Sequence, residues 1–234
     1  MRRAVVLVAV AASLASAQDS TARHGPLFTR TDAALVGVAA ATSVVLFGAD
    51  AAISRNVRAW RADGPRLDGV MQAASASGDP GTLIIGAGLW ASGAWAHDRT
   101  RRLVGRRAVE AILVSGVATG AIKALSGRAR PDESPDNATS FEFGRGIGDR
   151  SEFQSFPSGH ATAAFAFASA VDAEWQRLNP QRPRWVAPVL YAAATAVAAS
   201  RVYRDRHWTS DVVLGGAIGF VAGRAVVRWN ADRP

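Results

Sequence analysis

RRAVEAILVSGVATGAIKALS, residues 106–126, is long enough for a helix and lacks the strict polar/apolar alternation of a half-buried strand. Working outward, five more apolar segments rich in Ala, Gly, Val and Leu read the same way: 32–53, 80–97, 159–175, 185–203 and 210–229. Glycine and proline cluster between them, at Gly64-Pro65, Gly78 to Gly81, Arg130-Pro131 and Asn179 to Pro183. The expected fold class is all-α, a six-helix core bundle without repeats or low-complexity tracts.

The 234 residues suffice for one sizeable domain with a buried core. Cysteine is absent, which excludes disulfides, thiolate metal sites and a cysteine nucleophile. The formal net charge of +8 suits an anionic partner. Nucleic acid is not expected, because the arginines are scattered between apolar segments and form no basic helix or aromatic-interleaved stripe. At the N-terminus Arg2 and Arg3 precede an apolar run, Ala4 to Leu14, and an A-x-A site at Ala15-Ser16-Ala17. This pattern predicts a signal peptide over 1–17, then a polar segment over 18–31 and a helical domain over 32–230. An uncleaved first membrane helix is the alternative, although the apolar run is short for one.

Mean hydropathy of +0.06 is low for six spanning helices, and Asp172 and Glu174 lie in or near the ends of apolar segments. Small residues nevertheless suit close helix contacts in lipid. The most basic connection, His97 to Arg107, carries five arginines, so the positive-inside rule places it in the cytoplasm and Arg130 outside. A cleaved signal followed by six full spans predicts the reverse. The expectation adopted is an exported, membrane-associated bundle in the periplasm or cell envelope.

Chemistry concentrates in KALSGRARP (Lys123 to Pro131), FPSGHAT (Phe156 to Thr162) and SRVYRDRHWTSD (Ser200 to Asp211). They fall at the end of the third apolar segment, the start of the fourth, and between the fifth and sixth. Alternate helix ends share one face of an up-down bundle, so an active site is expected at one end of helices 3–6. The connection from Asp132 to Ser155 is long for a bundle loop. Its Phe141, Phe143 and Phe153, with Phe156 just beyond, either line an apolar substrate mouth or belong to a self-packed surface loop.

A phosphate ester needs positive charge around its equatorial oxygens. Lys123 and Arg130, two helical turns apart, are expected on one helix face, with Arg201 opposite. Ser158 reads as a helix N-cap and also as a phosphate donor beside the unpaired amides of a helix start, Gly159 among them. His207 and Asp211, four apart, are expected to face each other on a helix. The carboxylate would fix the imidazole tautomer and leave the other nitrogen free to attack phosphorus; a plain helix-stabilising pair is the alternative. His160 is a candidate catalytic group or a satisfied buried histidine. His24 and His97 receive no role, and Arg128, Arg204 and Arg206 read as loop cations. No HExxH or ligand-spaced His/Asp cluster is present, so no metal or other cofactor is expected.

These residues resemble the signature of the type 2 phosphatidic acid phosphatase and vanadium haloperoxidase superfamily: Lys, six residues, Arg-Pro; Pro-Ser-Gly-His; and Ser-Arg, five residues, His, three residues, Asp. Lys123, Arg130 and Pro131, then Pro157 to His160, then Ser200, Arg201, His207 and Asp211 match every position. The resemblance implies that His207 forms a phosphohistidine with Asp211 orienting it. His160 would protonate the leaving oxygen and then help activate water. Lys123, Arg130, Arg201, Ser158 and the Gly159 amide would hold the phosphoryl oxygens. It implies a metal-independent phosphatase acting on a phosphorylated lipid at a membrane, or an exported soluble acid phosphatase acting on small phosphate esters. A vanadate-dependent haloperoxidase is the remote alternative.

Overall fold

The computed structural model describes residues 26–64, 67–78, 80–148 and 150–231. Among them are eight α-helices and no strand: α1 (Arg30–Phe47), α2 (Asp50–Asp63), α3 (Asp68–Ala76), α4 (Gly81–Trp95), α5 (Arg99–Ser126), α6 (Gly159–Leu178), α7 (Val186–Tyr203) and α8 (Thr209–Trp229). The all-α expectation holds; the first apolar segment, 32–53, is divided between α1 and the start of α2, and the other five lie in α4 to α8. Two further helices, α2 and α3, were not expected. Gly48 and Ala49 interrupt the first apolar segment, and α2 carries Asp50, Arg55, Arg58, Arg61 and Asp63, so no apolar run marks it. The expected signal peptide lies outside the described residues, as does most of the expected polar segment, of which Arg30 and Thr31 already belong to α1.

Local chemistry sets the helix ends. Thr29 and Asp32 form a reciprocal capping box at the start of α1. The Asp98 carboxylate accepts from the Arg101 amide at 3.0 Å and starts α5. Gly127 ends α5 in the left-handed region, φ 54°, where a Cβ would lie 2.0 Å from the Glu142 carbonyl oxygen.

The centre of the bundle is α6, which packs against α4, α5, α7 and α8. Its tightest partner is α8, and the reason is a four-residue repeat of glycine. Added Cβ atoms would lie 2.6 Å from the Ser158 carbonyl oxygen at Gly215, 2.2 Å from that of Thr162 at Gly219, and 2.7 Å from the Ala170 amide nitrogen at Gly223. The two backbones approach closely because neither face carries bulk. Ala163, Ala166 and Ala170 complete that seam with Val226 and Val227.

Helix direction alternates along the chain. Arg228, near the end of α8, pairs with Asp32 at the start of α1 at 2.5 Å. Asn230, just past α8, donates to Glu110 in the first half of α5. At the opposite end, the Phe47 ring at the close of α1 meets Phe141 and Phe156. Among the described residues four helices, α1, α5, α7 and α8, are long and apolar enough to cross a membrane. Apolar side chains point outward from the bundle, with Val45 on α1 and Val117 on α5 each 77% exposed. The acidic residues that complicate the sequence are paired: Asp172 with Arg182, and Glu174 with Arg177 at 2.7 Å.

Candidate phosphate-binding active site

Helix ends bring the three signature stretches together. Lys123 occupies the last turn of α5, and its ammonium donates to the Gln154 carbonyl. Arg130 lies beyond the helix, which stops at Ser126, so a shared helical face does not unite the two cations. The segment folds back instead through backbone hydrogen bonds: Ala129 N–H to Ser140 O, Arg130 N–H to Glu152 O and Ser155 N–H to Arg128 O. Lys123 and Arg130 converge all the same, for both lie within electrostatic reach of the His160 and His207 rings.

Ser158 is the fully buried N-cap of α6. Its hydroxyl accepts from the Ala161 amide at 3.4 Å, and its own amide donates to the Asp211 carbonyl oxygen at 3.0 Å. Gly159 begins the helix beneath Lys123: a Cβ there would sit 3.6 Å from Lys123 Cε. His160 packs over Gly78, where a Cβ would come 2.8 Å from its Cδ2. That contact brings in the turn between α3 and α4, which the sequence reading had left outside the site.

From the last turn of α7, Arg201 donates to Ser75 Oγ on α3. Its Nε is buried without a hydrogen-bond partner among the described residues, and so is Nε of Arg130. A buried N–H with no acceptor costs free energy, on the order of 1–3 kcal/mol, unless something else supplies one. Burial is the main cause that lowers the Arg130 pKa below the ordinary guanidinium value, with Arg206 reinforcing it. An anion between Arg130 and Arg201 would meet both needs.

His207 precedes α8, so its backbone is not helical, yet its side chain still meets that of Asp211. Its Nδ1 lies 2.8 Å from the Ser155 carbonyl oxygen and 3.5 Å from Asp211 Oδ2. A carbonyl only accepts, so Nδ1 carries the hydrogen and Nε2 keeps its lone pair. Ser155, two residues before the Pro-Ser-Gly-His motif, thus makes a shorter contact to Nδ1 than Asp211, which also pairs with it. Asp211 Oδ2 accepts from the Ser155 hydroxyl at 2.5 Å and the Trp208 amide at 2.8 Å. Burial pushes the His207 pKa down to about 3; Asp211 opposes the shift, while Lys123 and Arg130 reinforce it.

Arg128 corrects the reading of it as a loop cation. It is fully buried, and its guanidinium lies 4.7 Å from the Phe47 ring centroid and 5.0 Å from that of Phe141, with Phe156 and Trp208 also around it. Phe141 and Phe156 therefore pack around this cation, Phe153 stacks on Arg145, and Phe143 stands exposed. The long connection is thus largely self-packed. Arg206 does behave as a surface cation, paired with Asp132 at 2.7 Å, and Arg204 is exposed. Asp50, Ser75, Ser155 and Ser210 were missed; Ser155, beside the second stretch, and Ser210, inside the third, had a signal to find them, and Asp50 and Ser75 had none.

Over 96 residues the chain is 37% identical to a lipid A 1-phosphatase of Porphyromonas gingivalis, which covers 41% of this chain and 20% of that protein. Over 80 residues it is 38% identical to a putative undecaprenyl-diphosphatase of Escherichia coli, covering 33% and 36% respectively. The matches therefore span well under two thirds of either relative. The fold resembles that of a transmembrane PAP2-type phosphatidylglycerolphosphate phosphatase from Bacillus subtilis (TM-score 0.60, 23% identity, 88% of this chain and 98% of that one). It also resembles Aquifex aeolicus LpxE (TM-score 0.57, 20% identity, 76% and 94%). The PAP2 superfamily profile matches residues 105–234, more than half of the sequence and all three signature stretches, and the chain belongs to that superfamily.

Proposed function

We propose that the protein is a metal-independent phosphatase that hydrolyses phosphate monoesters or diphosphates of lipids through a phosphohistidine. One observation carries the reading: His207 presents a neutral Nε2 near cations whose buried Nε atoms, in Arg130 and Arg201, have no acceptor among the described residues. A phosphoryl group bound by Arg130, Arg201, Lys123, Ser158 and the Gly159 amide would fill that need. The Nε2 lone pair attacks phosphorus, and the P–O ester bond breaks. Burial and the cations Arg201, Lys123 and Arg130 push the free His160 pKa down to about 4. A bound phosphoryl dianion offsets those cations, so in the complex His160 holds a proton and gives it to the leaving oxygen. His160 then accepts a proton from water, whose oxygen attacks the phosphohistidine and releases phosphate.

A lipid substrate is supported by the relatives' activities and by an apolar groove of about 840 Å³ between α1, α7 and α8. Val202, Tyr203 and Thr209 in its wall flank Arg201 and His207 in sequence, and Phe165 and Phe220 also line it. The outward-facing valines of α1 and α5 favour a bilayer setting over a soluble acid phosphatase. Residues 32–230 then form one catalytic domain. Its phosphate-binding end faces away from the cytoplasm, because Arg99, Arg101, Arg102 and Arg106 lie at the other end.

Phosphate release by purified protein in EDTA tests this, with phosphatidic acid, undecaprenyl diphosphate and p-nitrophenyl phosphate as substrates. Preference for the lipids is expected, with activity abolished in His207→Ala. Activity retained by that variant, or lost in EDTA alone, would sink the mechanism. Preference for the soluble ester would sink the lipid assignment.

A further inference from the structure

We propose that Arg128 and Asp50 form a positioning device for the reaction, acting through Asp211 and never touching the phosphate. The inference rests on the phosphohistidine reading above.

Arg128 lies two residues before Arg130, yet the two arginines are in opposite situations. Arg130 has an Nε without an acceptor. Arg128 donates from every guanidinium nitrogen: Nε to Ala138 O at 2.9 Å, Nη1 to Ser210 Oγ at 2.6 Å and Asp211 Oδ1 at 2.5 Å, and Nη2 to Asp50 Oδ2 at 2.8 Å and Ala138 O at 2.6 Å. A guanidinium has five N–H donors, so none remains for a substrate oxygen. The aromatic rings around it complete its enclosure.

Asp50, the first residue of α2, comes from a part of the chain remote from all three signature stretches. It is 1% exposed, and besides Arg128 it accepts from the Ser210 amide at 3.1 Å and from the Ser210 hydroxyl. Ser43 on α1 donates to the Ser210 carbonyl at 3.0 Å. The α1–α2 junction thus clamps the first turn of α8, where Asp211 sits. Asp211 in turn holds Ser155, whose carbonyl holds His207 Nδ1. The linkage runs Asp50, Arg128, Asp211, Ser155, His207.

Its charge suits the step. Two carboxylates and one guanidinium leave a net negative group behind the imidazole. When Nε2 bonds to phosphorus, the ester electrons leave with the oxygen that takes the His160 proton. Nδ1 keeps its hydrogen, so the ring gains positive charge. A fixed anion behind the ring stabilises that charge as it forms. It adds nothing to the binding of free phosphate, where the ring stays neutral.

The test compares the full chain in detergent with Asp50→Asn and Arg128→Lys, measuring kcat for phosphate release and the inhibition constant of inorganic phosphate. Arg130→Lys serves as the contrasting variant. Falls in kcat of about tenfold for Asp50→Asn and about 100-fold for Arg128→Lys are expected, with phosphate inhibition constants within about twofold of the parent. For Arg130→Lys the phosphate constant rises. A phosphate constant that worsens in step with kcat in Arg128→Lys would make Arg128 a phosphate ligand and overturn the proposal. Parent-like kcat in Asp50→Asn would also overturn it. If Arg128→Lys does not fold, Asp50→Asn decides alone, since it preserves side-chain volume. A parent that releases no phosphate refutes the phosphatase reading, whereas an active parent with equally active variants refutes only the positioning device.

Discussion

At the scale of single residues, the site depends on what each buried polar atom lacks or holds. Among the described residues Arg130 and Arg201 each keep an Nε donor without an acceptor, and Arg128 has given all of its own to the protein. His207 illustrates the cost of burial. Its folded pKa of about 3 lies below the ordinary 6.5, so between those values the unfolded chain binds the proton more readily. Its contribution to stability is therefore complete above about pH 6.5 and is lost as pH falls toward 3. The melting temperature of the parent should drop on acidification through that window, and His207→Asn, which cannot titrate there, should flatten the slope. An unchanged slope would mean that His207 is not held neutral. Charge, spacing and the family signature together had pointed to Lys123, Arg130, Ser158, Gly159, His160, Arg201, His207 and Asp211. The distinction between Arg128 and Arg130 was not legible, because sequence carries charge but not the list of acceptors around it.

At the scale of elements, helix lengths and termini were largely readable from apolar runs and from Gly and Pro between them. The polar helix α2 was not, since its apolar residues are interrupted by five charged ones. Nor was the closeness of α6 and α8, although the glycines at 215, 219 and 223 are visible in the sequence. Gly219→Ala should destabilise the fold by about 1–3 kcal/mol, because its methyl would meet the Thr162 carbonyl oxygen at 2.2 Å. Gly116→Ala on α5, where nothing lies within 4 Å, should be neutral or stabilise by up to about 1 kcal/mol. Thermal unfolding of both variants in one detergent checks the contrast. Equal melting temperatures would refute the close seam.

At the scale of the whole molecule, direction alternates so that α1 begins at the same end as the arginine-rich start of α5. Cleavage after Ala17 and a cytoplasmic arginine cluster therefore exclude each other if α1 and α5 both span. If the arginine-rich end of α5 faces the cytoplasm, the site lies outside. Because the chain has no cysteine, single substitutions report directly. Arg204→Cys, exposed beside the site, should react with an impermeant maleimide on intact cells, and Arg101→Cys should react only after lysis. The reverse pattern would place the site in the cytoplasm. The sequence by itself determined the all-helical class and the spacing of the three signature stretches, because helix period, chain breakers and motif spacing are local properties. Tertiary packing alone set the places of Asp50 and Ser75 beside the site, the hold of Ser155 on His207, and the enclosure of Arg128 where Arg130 keeps an Nε unpartnered among the described residues. Those outcomes depend on which distant acceptors packing brings within hydrogen-bond reach.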